Sequence, residues 1–178
     1  MNKKAVELSI NFLVVVILSI VILTSGLLIV KRYFGTAEDI KAQLDEQTIA
    51  HIEELLDEGD PVAIASKRKV ISGGESAIFG LGIFNINDDT QNFKVDIKFS
   101  KLIERDQTIV ETVTPNPETW LLYEDEVTLG FNDKATISIR IEVPKTASQG
   151  TYIYNVNVCY GPCTGQNRYG LTKIYVEA

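Results

Sequence analysis

The strongest constraint on this chain is a run of 21 residues without a charged side chain, from Ile10 to Val30. As a helix with a rise of ~1.5 Å per residue, the run is about 32 Å long, which matches the ~30 Å hydrocarbon core of a bilayer. Sixteen of its positions are Ile, Leu, Val or Phe. Because the apolar run is longer than a secretory signal core of ~7–15 residues, we predict a membrane anchor rather than a cleaved leader.

The remaining length and charge limit what the rest of the chain can be. We predict three segments: a membrane anchor, or a signal and transmembrane helix, at 1–34, an amphipathic helical stalk at 35–60, and a β-sandwich at 61–178. The whole chain has 178 residues and a net charge of −7. An acidic chain does not favour nucleic acid as a partner, so we expect none.

Residues 36–60 have the apolar spacing of an amphipathic helix. Thr36 supplies a capping hydroxyl, and Gly59 is a typical C-terminal stop. The sequence also permits one continuous helix from about Ala5 to Asp57. The apolar stripe has two interpretations, packing on its own globular domain or self-association with other copies. The stripe consists of Ile40, Leu44, Thr48 or Ile49, Ile52, Leu55 and Leu56.

After Pro61 the apolar spacing changes to the period of two that is typical of strands. Eight short strands separated by turns predict an antiparallel sandwich with its core between two sheets. The full fold class is therefore α+β, with a long N-terminal transmembrane and amphipathic helix followed by an all-β antiparallel sandwich, to which the resemblance described below adds the Ig-like type. The predicted strands are Val62–Ser66, Ser76–Asn85, Asn92–Phe99, Thr108–Thr114, Thr119–Tyr123, Lys134–Val143, Gly150–Cys159 and Leu171–Val176.

The two cysteines, Cys159 and Cys163, are separated by only three residues. A lone pair cannot provide the four ligands of a structural zinc site, but it can form a disulfide across a tight turn. Two free thiols are the alternative. An oxidised pair indicates a domain outside the cytoplasm, so we expect a single-pass protein of the cell membrane with its C-terminal domain extracytoplasmic.

The chemistry of an active site is sparse in this sequence. His51 is the only histidine, so no histidine metal cluster can form, and because it lies in the predicted amphipathic helix beside Glu53 and Glu54 we expect no Ser-His-Asp triad within the β domain. The acidic stretch Asn87-Asp88-Asp89 has oxygen ligands for Ca²⁺ but not the spacing of an EF-hand. We therefore predict a protein that is not an enzyme, with no catalytic residue, no cofactor and no metal.

Two stretches resemble the Ig-like surface modules of bacteria and archaea, such as those that accompany alpha-galactosidases. Residues 133–160 hold a strand of alternating Ile and Val that ends in Pro144, a loop to Gly150 and a Tyr-rich returning strand. Residues 70–79 are similar to the turn that enters the second strand of these modules. The resemblance implies an Ig-like fold over about 115 residues, and it implies no single function, because such modules serve as spacers, stalks and adhesive heads.

The N-terminus, from Lys3-Lys4 to Leu13, resembles the class III signal region of archaeal pilins and archaellins. That resemblance implies an archaeal source and an assembly helix in which Glu7, Asn11 and Phe12 are the candidate residues. Asn11 stands where pilins usually carry the glutamate that pairs with a neighbouring subunit. Glu7 alternatively pairs with Lys3 or Lys4 at the membrane interface.

Together these features predict a non-catalytic, membrane-anchored extracytoplasmic protein. The leading hypothesis is a pilin-like structural or assembly subunit of a cell-surface filament. Its partners would be the lipid bilayer and, through the N-terminal helix, other copies of the chain or other envelope proteins. The alternative is a permanently tethered Ig-like binding or accessory module, similar to an archaellum stator or a cell-envelope docking protein.

Overall fold

A computed structural model describes residues 12–25 and 44–178 of the chain. The chain divides into two units, Met1–Asp39 and Ile40–Ala178, which are described separately. The described part is mostly β, with 45% of its residues in strands and two short helices. In the first unit, the described residues 12–25 form helix α1.

The predicted fold class, a long N-terminal helix followed by an Ig-like sandwich, is wrong. Within the described ranges, no helix is both long enough and apolar enough to cross a membrane. A continuous helix from Ala5 to Asp57 is also wrong, because Asp45 has an extended backbone (φ −67°, ψ 150°) that interrupts it. Helix α2 (Glu46–Asp57) begins after this residue, so Asp45 caps the helix. Thr36, the predicted cap, lies outside the described residues.

The second unit contains ten strands in its described part, arranged in two sheets. Sheet A has the order β1-β3-β8-β6, and sheet B has the order β2-β10-β9-β4-β5, with β7 also paired to β4. All pairs are antiparallel except β2 with β10. The strands are β1 (Val62–Ile64), β2 (Arg68–Val70), β3 (Ser76–Phe84), β4 (Gln91–Glu104), β5 (Ile109–Val110), β6 (Leu121–Leu122), β7 (Glu126–Leu129), β8 (Lys134–Glu142), β9 (Gly150–Tyr160) and β10 (Arg168–Glu177).

The main core lies between the two sheets, as the alternating pattern predicts. Sheet A contributes residues such as Phe79, Leu81 and Ile139, and sheet B contributes residues such as Val95 and Val156. Trp120 ends a 3₁₀ turn (Pro117–Trp120) and is buried, with its ring 5.1 Å from that of Tyr152. The description as a β-sandwich therefore holds for this unit.

Helix α2 packs on the outer face of sheet A, which makes the second unit a three-layer structure. Ile52 and Leu56 are buried there together with Ala63 of β1. The helix comes this close because Gly80 and Gly82 of β3 have no side chains, and a Cβ at either position would collide with Ile52. Of the two interpretations of the apolar stripe, packing on its own domain is therefore confirmed for these two residues.

Candidate functional site

Helix α1 exposes apolar side chains on every side. Eleven of its side chains are large and apolar, and they are 39 to 70% exposed. Ser19 Oγ donates a hydrogen bond to the Val15 carbonyl at 2.7 Å, and Thr24 Oγ1 donates one to the Ile20 carbonyl at 2.8 Å. Because the helix's own backbone accepts these bonds, α1 presents an almost uniformly apolar surface.

The sequence singled out three residues of this region for assembly, and the structure describes one of them. Phe12 lies on α1 with 70% of its surface exposed. Glu7 and Asn11 lie outside the described residues. The predicted pairing of a carboxylate with a neighbouring subunit therefore remains a prediction, whereas the exposure of Phe12 is an observation.

Cys159 and Cys163 form a disulfide between the end of β9 and the loop that follows it. Their Cα atoms are 5.2 Å apart, which is a normal separation for a disulfide. Gly161, with φ of +60°, makes the turn between them, and its N–H donates to the Asn92 carbonyl at 3.0 Å. The disulfide and this hydrogen bond hold the β9–β10 loop against β4.

A buried amide fixes the other loops at this end of the sandwich. The side chain of Asn85 is fully buried, and its Nδ2 lies within 3.0 Å of the carbonyls of Asp89, Leu129 and Gly130. Its Oδ1 accepts from the backbone N–H of Asn87 at 3.1 Å. One side chain thus joins the β3–β4 loop to the β7–β8 loop.

Tyrosines complete the same end of the molecule. The hydroxyl of Tyr169 donates to the Phe84 carbonyl, and its ring lies 4.9 Å from that of Tyr160. Burial raises the pKa of the Tyr169 hydroxyl, so it stays protonated and keeps donating at neutral pH. Burial also raises the pKa of Tyr154, which lies deeper in the core. These hydroxyls serve packing and hydrogen bonding rather than proton transfer.

An open cleft of about 800 Å³ lies where β8 ends, beside Trp120 and Arg140. Arg140 Nη2 pairs with Glu142 Oε1 at 3.0 Å, whereas its buried Nε has no hydrogen-bond partner. The cleft can bind a polar group, but Ser76 and Thr119, the hydroxyls that line it, have no histidine beside them. His51 lies elsewhere, exposed on α2, with Nδ1 3.3 Å from Glu54 Oε2.

Metal-ligand types do not converge in the described part of the chain, where no group of three or more His, Cys, Asp or Glu could hold an ion. In the acidic stretch Asn87-Asp88-Asp89, the side chain of Asn87 is engaged in hydrogen bonds within the protein. Its Nδ2 donates to Asn85 Oδ1 and to the Tyr160 hydroxyl, each at 3.0 Å.

The sequence analysis missed Asn85 and the paired glycines of β3. The role of Gly80 and Gly82 could have been predicted, since two glycines on one face of a strand indicate the close approach of another element. Asn85 follows a strand just as an ordinary turn residue does, and only the folded structure shows that its amide is buried among three carbonyls.

No family model matches the sequence, and no curated protein matches it either. Among solved structures, a family 123 glycoside hydrolase from Clostridium perfringens is similar, with 12% identity and a TM-score of 0.46 over 62% of this chain and 22% of that one. The PapD-like domain 7 of human CEP192 has 10% identity and a TM-score of 0.45 over 66% of this chain and 84% of that one. The class 5 fimbriae chaperone CfaA has 16% identity and a TM-score of 0.40 over 65% of this chain and 54% of that one. All three TM-scores are below 0.5, so function is inferred below from the residues of this chain alone.

Proposed function

We propose that this chain is a non-catalytic, pilin-like structural subunit of a cell-surface assembly, in which α1 packs against the α1 helices of neighbouring copies. One observation carries the proposal: the eleven large apolar side chains exposed on α1. A helix that is apolar all round is stable only when other apolar groups surround it.

The size of this apolar surface favours many neighbours over one. In a pair, each helix covers about half of its eleven side chains, so the two helices together cover about eleven. Burying a Val, Leu, Ile or Phe side chain fully gains ~1.5–3 kcal/mol, so a pair gains at most roughly 16–33 kcal/mol, against an association cost of about 4–15 kcal/mol. The other half of each helix's apolar side chains stays exposed in a pair, and an assembly that surrounds each helix with several others buries that half as well.

The disulfide supports a location outside the cytoplasm, because disulfides persist in oxidising compartments. The loops that it and Asn85 fix lie at one end of the β-sandwich. In the proposed assembly the sandwich is the rigid exposed part of each subunit, and α1 is the part that joins subunits together.

Removal of detergent from the full chain tests the role of α1. Wild type is expected to form high-mass assemblies, measured by sedimentation velocity and seen as filaments by electron microscopy. Replacing Ile17 and Val21, which are one helical turn apart, with Asp puts charge on one side of α1 and is expected to leave small oligomers or monomers.

The matched control makes the same chemical change on the β-sandwich. Ile86→Asp with Phe131→Asp alters two apolar side chains, in the β3–β4 and β7–β8 loops, that are 56% and 60% exposed, comparable to those of α1. This variant is expected to assemble as wild type does. Wild type that stays monomeric after detergent removal would overturn the proposal in favour of a tethered binding module.

Peptide mapping without reduction tests the compartment. Protein isolated from its native cell is expected to give the peptide pair that contains Cys159 linked to Cys163. Recovery of both residues as free thiols, alkylated before lysis, would contradict an extracytoplasmic location.

A further inference from the structure

The outer face of sheet B is basic, although the chain as a whole has a net charge of −7. Residues that are register partners on neighbouring strands share a face. Val95 pairs with Val158 in the core, so the neighbouring row, Lys94 with Cys159 and Arg168, points outward. On the strands of this outer face there are six basic residues and three acidic ones. The basic residues are Arg68, Lys94, Lys98, Lys101, Arg168 and Lys173, and the acidic ones are Asp96, Glu126 and Glu177.

The three acidic residues are already paired with three of the basic ones. Lys98 Nζ lies 3.4 Å from Asp96 Oδ1, Lys94 Nζ lies 3.3 Å from Glu126 Oε1, and Arg68 Nη1 lies 3.4 Å from Glu177 Oε2. None of the ion pairs in the described ranges includes the other three basic residues: Lys101, Arg168 and Lys173.

The opposite side of the domain is acidic. Helix α2 covers sheet A with Ile52 and Leu56 facing the sheet, so most of its polar side chains face away from the sandwich, whereas Asp57 pairs with Lys134 at the start of β8. From residue 45 to residue 60 there are seven acidic residues and no Lys or Arg, and all seven are exposed. They are Asp45, Glu46, Glu53, Glu54, Asp57, Glu58 and Asp60.

We infer that the basic outer face of sheet B binds the acidic face of α2 on a second copy of this chain. The two faces lie on opposite sides of the three layers, so one copy offers both. A symmetric pair would place like charges together, which is unfavourable. The favourable contact is heterologous, and it repeats from copy to copy as an open chain.

This contact extends the proposed function, because it supplies the second partner surface that a growing assembly needs. Helix α2 has 12 residues and is therefore ~18 Å long. A contact of that length buries less than the ~800 Å² per partner of a standard stable interface. The contact is consequently weak between free subunits, sensitive to salt, and effective once α1 has gathered the copies.

Charge reversal on each face tests the contact in the full chain. The face variant combines Lys101→Glu with Lys173→Glu, which takes the charge of the face from +3 to −1. The helix variant combines Glu46→Lys, Glu53→Lys, Glu54→Lys and Glu58→Lys, which takes the charge of residues 45–60 from −7 to +1. Each variant alone opposes like charges, so its association constant at low salt is expected to fall by at least about tenfold. An equimolar mixture is expected to recover association, because the acidic sheet of one variant then meets the basic helix of the other.

The matched control is Arg105→Glu with Lys145→Glu, which changes the net charge as much as the face variant does but lies in the loops that follow β4 and β8, not on the strands of this face. It is expected to associate as wild type does. A face variant that loses no more association than this control, or a mixture that fails to recover it, would overturn the inference.

Crosslinking adds a readout of which surfaces meet. Copies with Glu53→Cys mixed with copies with Lys173→Cys are expected to form crosslinked heterodimers with a bismaleimide. Crosslinks only between two Glu53→Cys copies would show a symmetric contact and overturn the inference. The proposed function would survive either result, since the Ile17 and Val21 variant tests α1 assembly independently.

Discussion

The two described helices use apolar side chains in opposite ways. Helix α2 has one apolar stripe, and Ile52 and Leu56 of that stripe are buried against β3. Helix α1 has apolar side chains all round, and none of the eleven large ones is buried. The stripe of α2 is part of the fold of its own domain, whereas the large apolar side chains of α1 are exposed.

This difference separates stability from assembly. Substitutions in the contact between α2 and sheet A should change the free energy of unfolding of the β-sandwich. The protein that remains folded should still self-associate as wild type does. Changes on α1 should do the reverse. If both helices affected the same measurement, the division between a folding helix and an assembly helix would fail.

The largest effect is expected from Ile52→Ala. Ile52 is fully buried between α2 and sheet A, so its truncation removes buried methyl groups and leaves a cavity. We expect the free energy of unfolding to fall by about 3 kcal/mol. Urea unfolding of the full chain in a fixed concentration of nonionic detergent measures this, with the fluorescence of Trp120, the only tryptophan, as the signal.

Ile17→Ala is the matched control for this prediction, since it makes the same change on α1, where the side chain is 52% exposed. It should leave the urea midpoint of the β-sandwich unchanged. A loss of stability from Ile17→Ala equal to that from Ile52→Ala would show that α1 is part of the same folding unit.

The next largest effect is expected from Gly82→Ala. A Cβ at this position would meet Ile52 Cγ2 and lie 3.0 Å from Leu56 Cδ1, so α2 must shift away from the sheet. Overpacking of this kind costs about 1–3 kcal/mol. Because Ile52→Ala removes the methyl group that collides, the cost of Gly82→Ala should largely disappear in that background.

Gly165→Ala is the control for Gly82→Ala, because a Cβ at Gly165 meets nothing within 4 Å. Its effect on the unfolding free energy is expected to stay within about 0.5 kcal/mol. Additive costs of Gly82→Ala and Ile52→Ala would show that the glycine is not there to admit the helix.

The sequence predicts the β-sandwich well, because alternation marks the long strands directly. Eight of the ten strands overlap predicted strands, including β3 and β8, in whose central parts large apolar residues alternate with small or polar ones. The short edge strand β2 was missed, since Arg68-Lys69-Val70 has no alternation to detect. The strand β7 was missed because Glu126–Leu129 is short and follows a cluster of acids.

The helices were harder to predict because tertiary contacts decide them. The apolar spacing of residues 36–60 is compatible with one long helix, and only the extended backbone of the capping residue Asp45 shows that α2 begins at Glu46. For the candidate site, spacing identified the cysteine pair and composition identified the apolar run. The basic face of sheet B could not be predicted, since its six basic residues come from three strands whose register only the fold defines.

The smallest effect is expected at Asp45, which marks where α2 begins. The Thr48 N–H donates to Asp45 Oδ1 at 2.6 Å, and this hydrogen bond lowers the pKa of the carboxyl below its usual value of 3.8. The charged form is favoured in the folded state, so its contribution is present above the unfolded pKa and is lost as the pH falls through the lower folded pKa. We expect wild type to unfold at slightly higher urea than Asp45→Asn at pH 6, and the two midpoints to converge as the pH falls below the unfolded pKa of about 4. Because Asn also caps helices but does not titrate, a difference that is independent of pH would contradict a role for the charge.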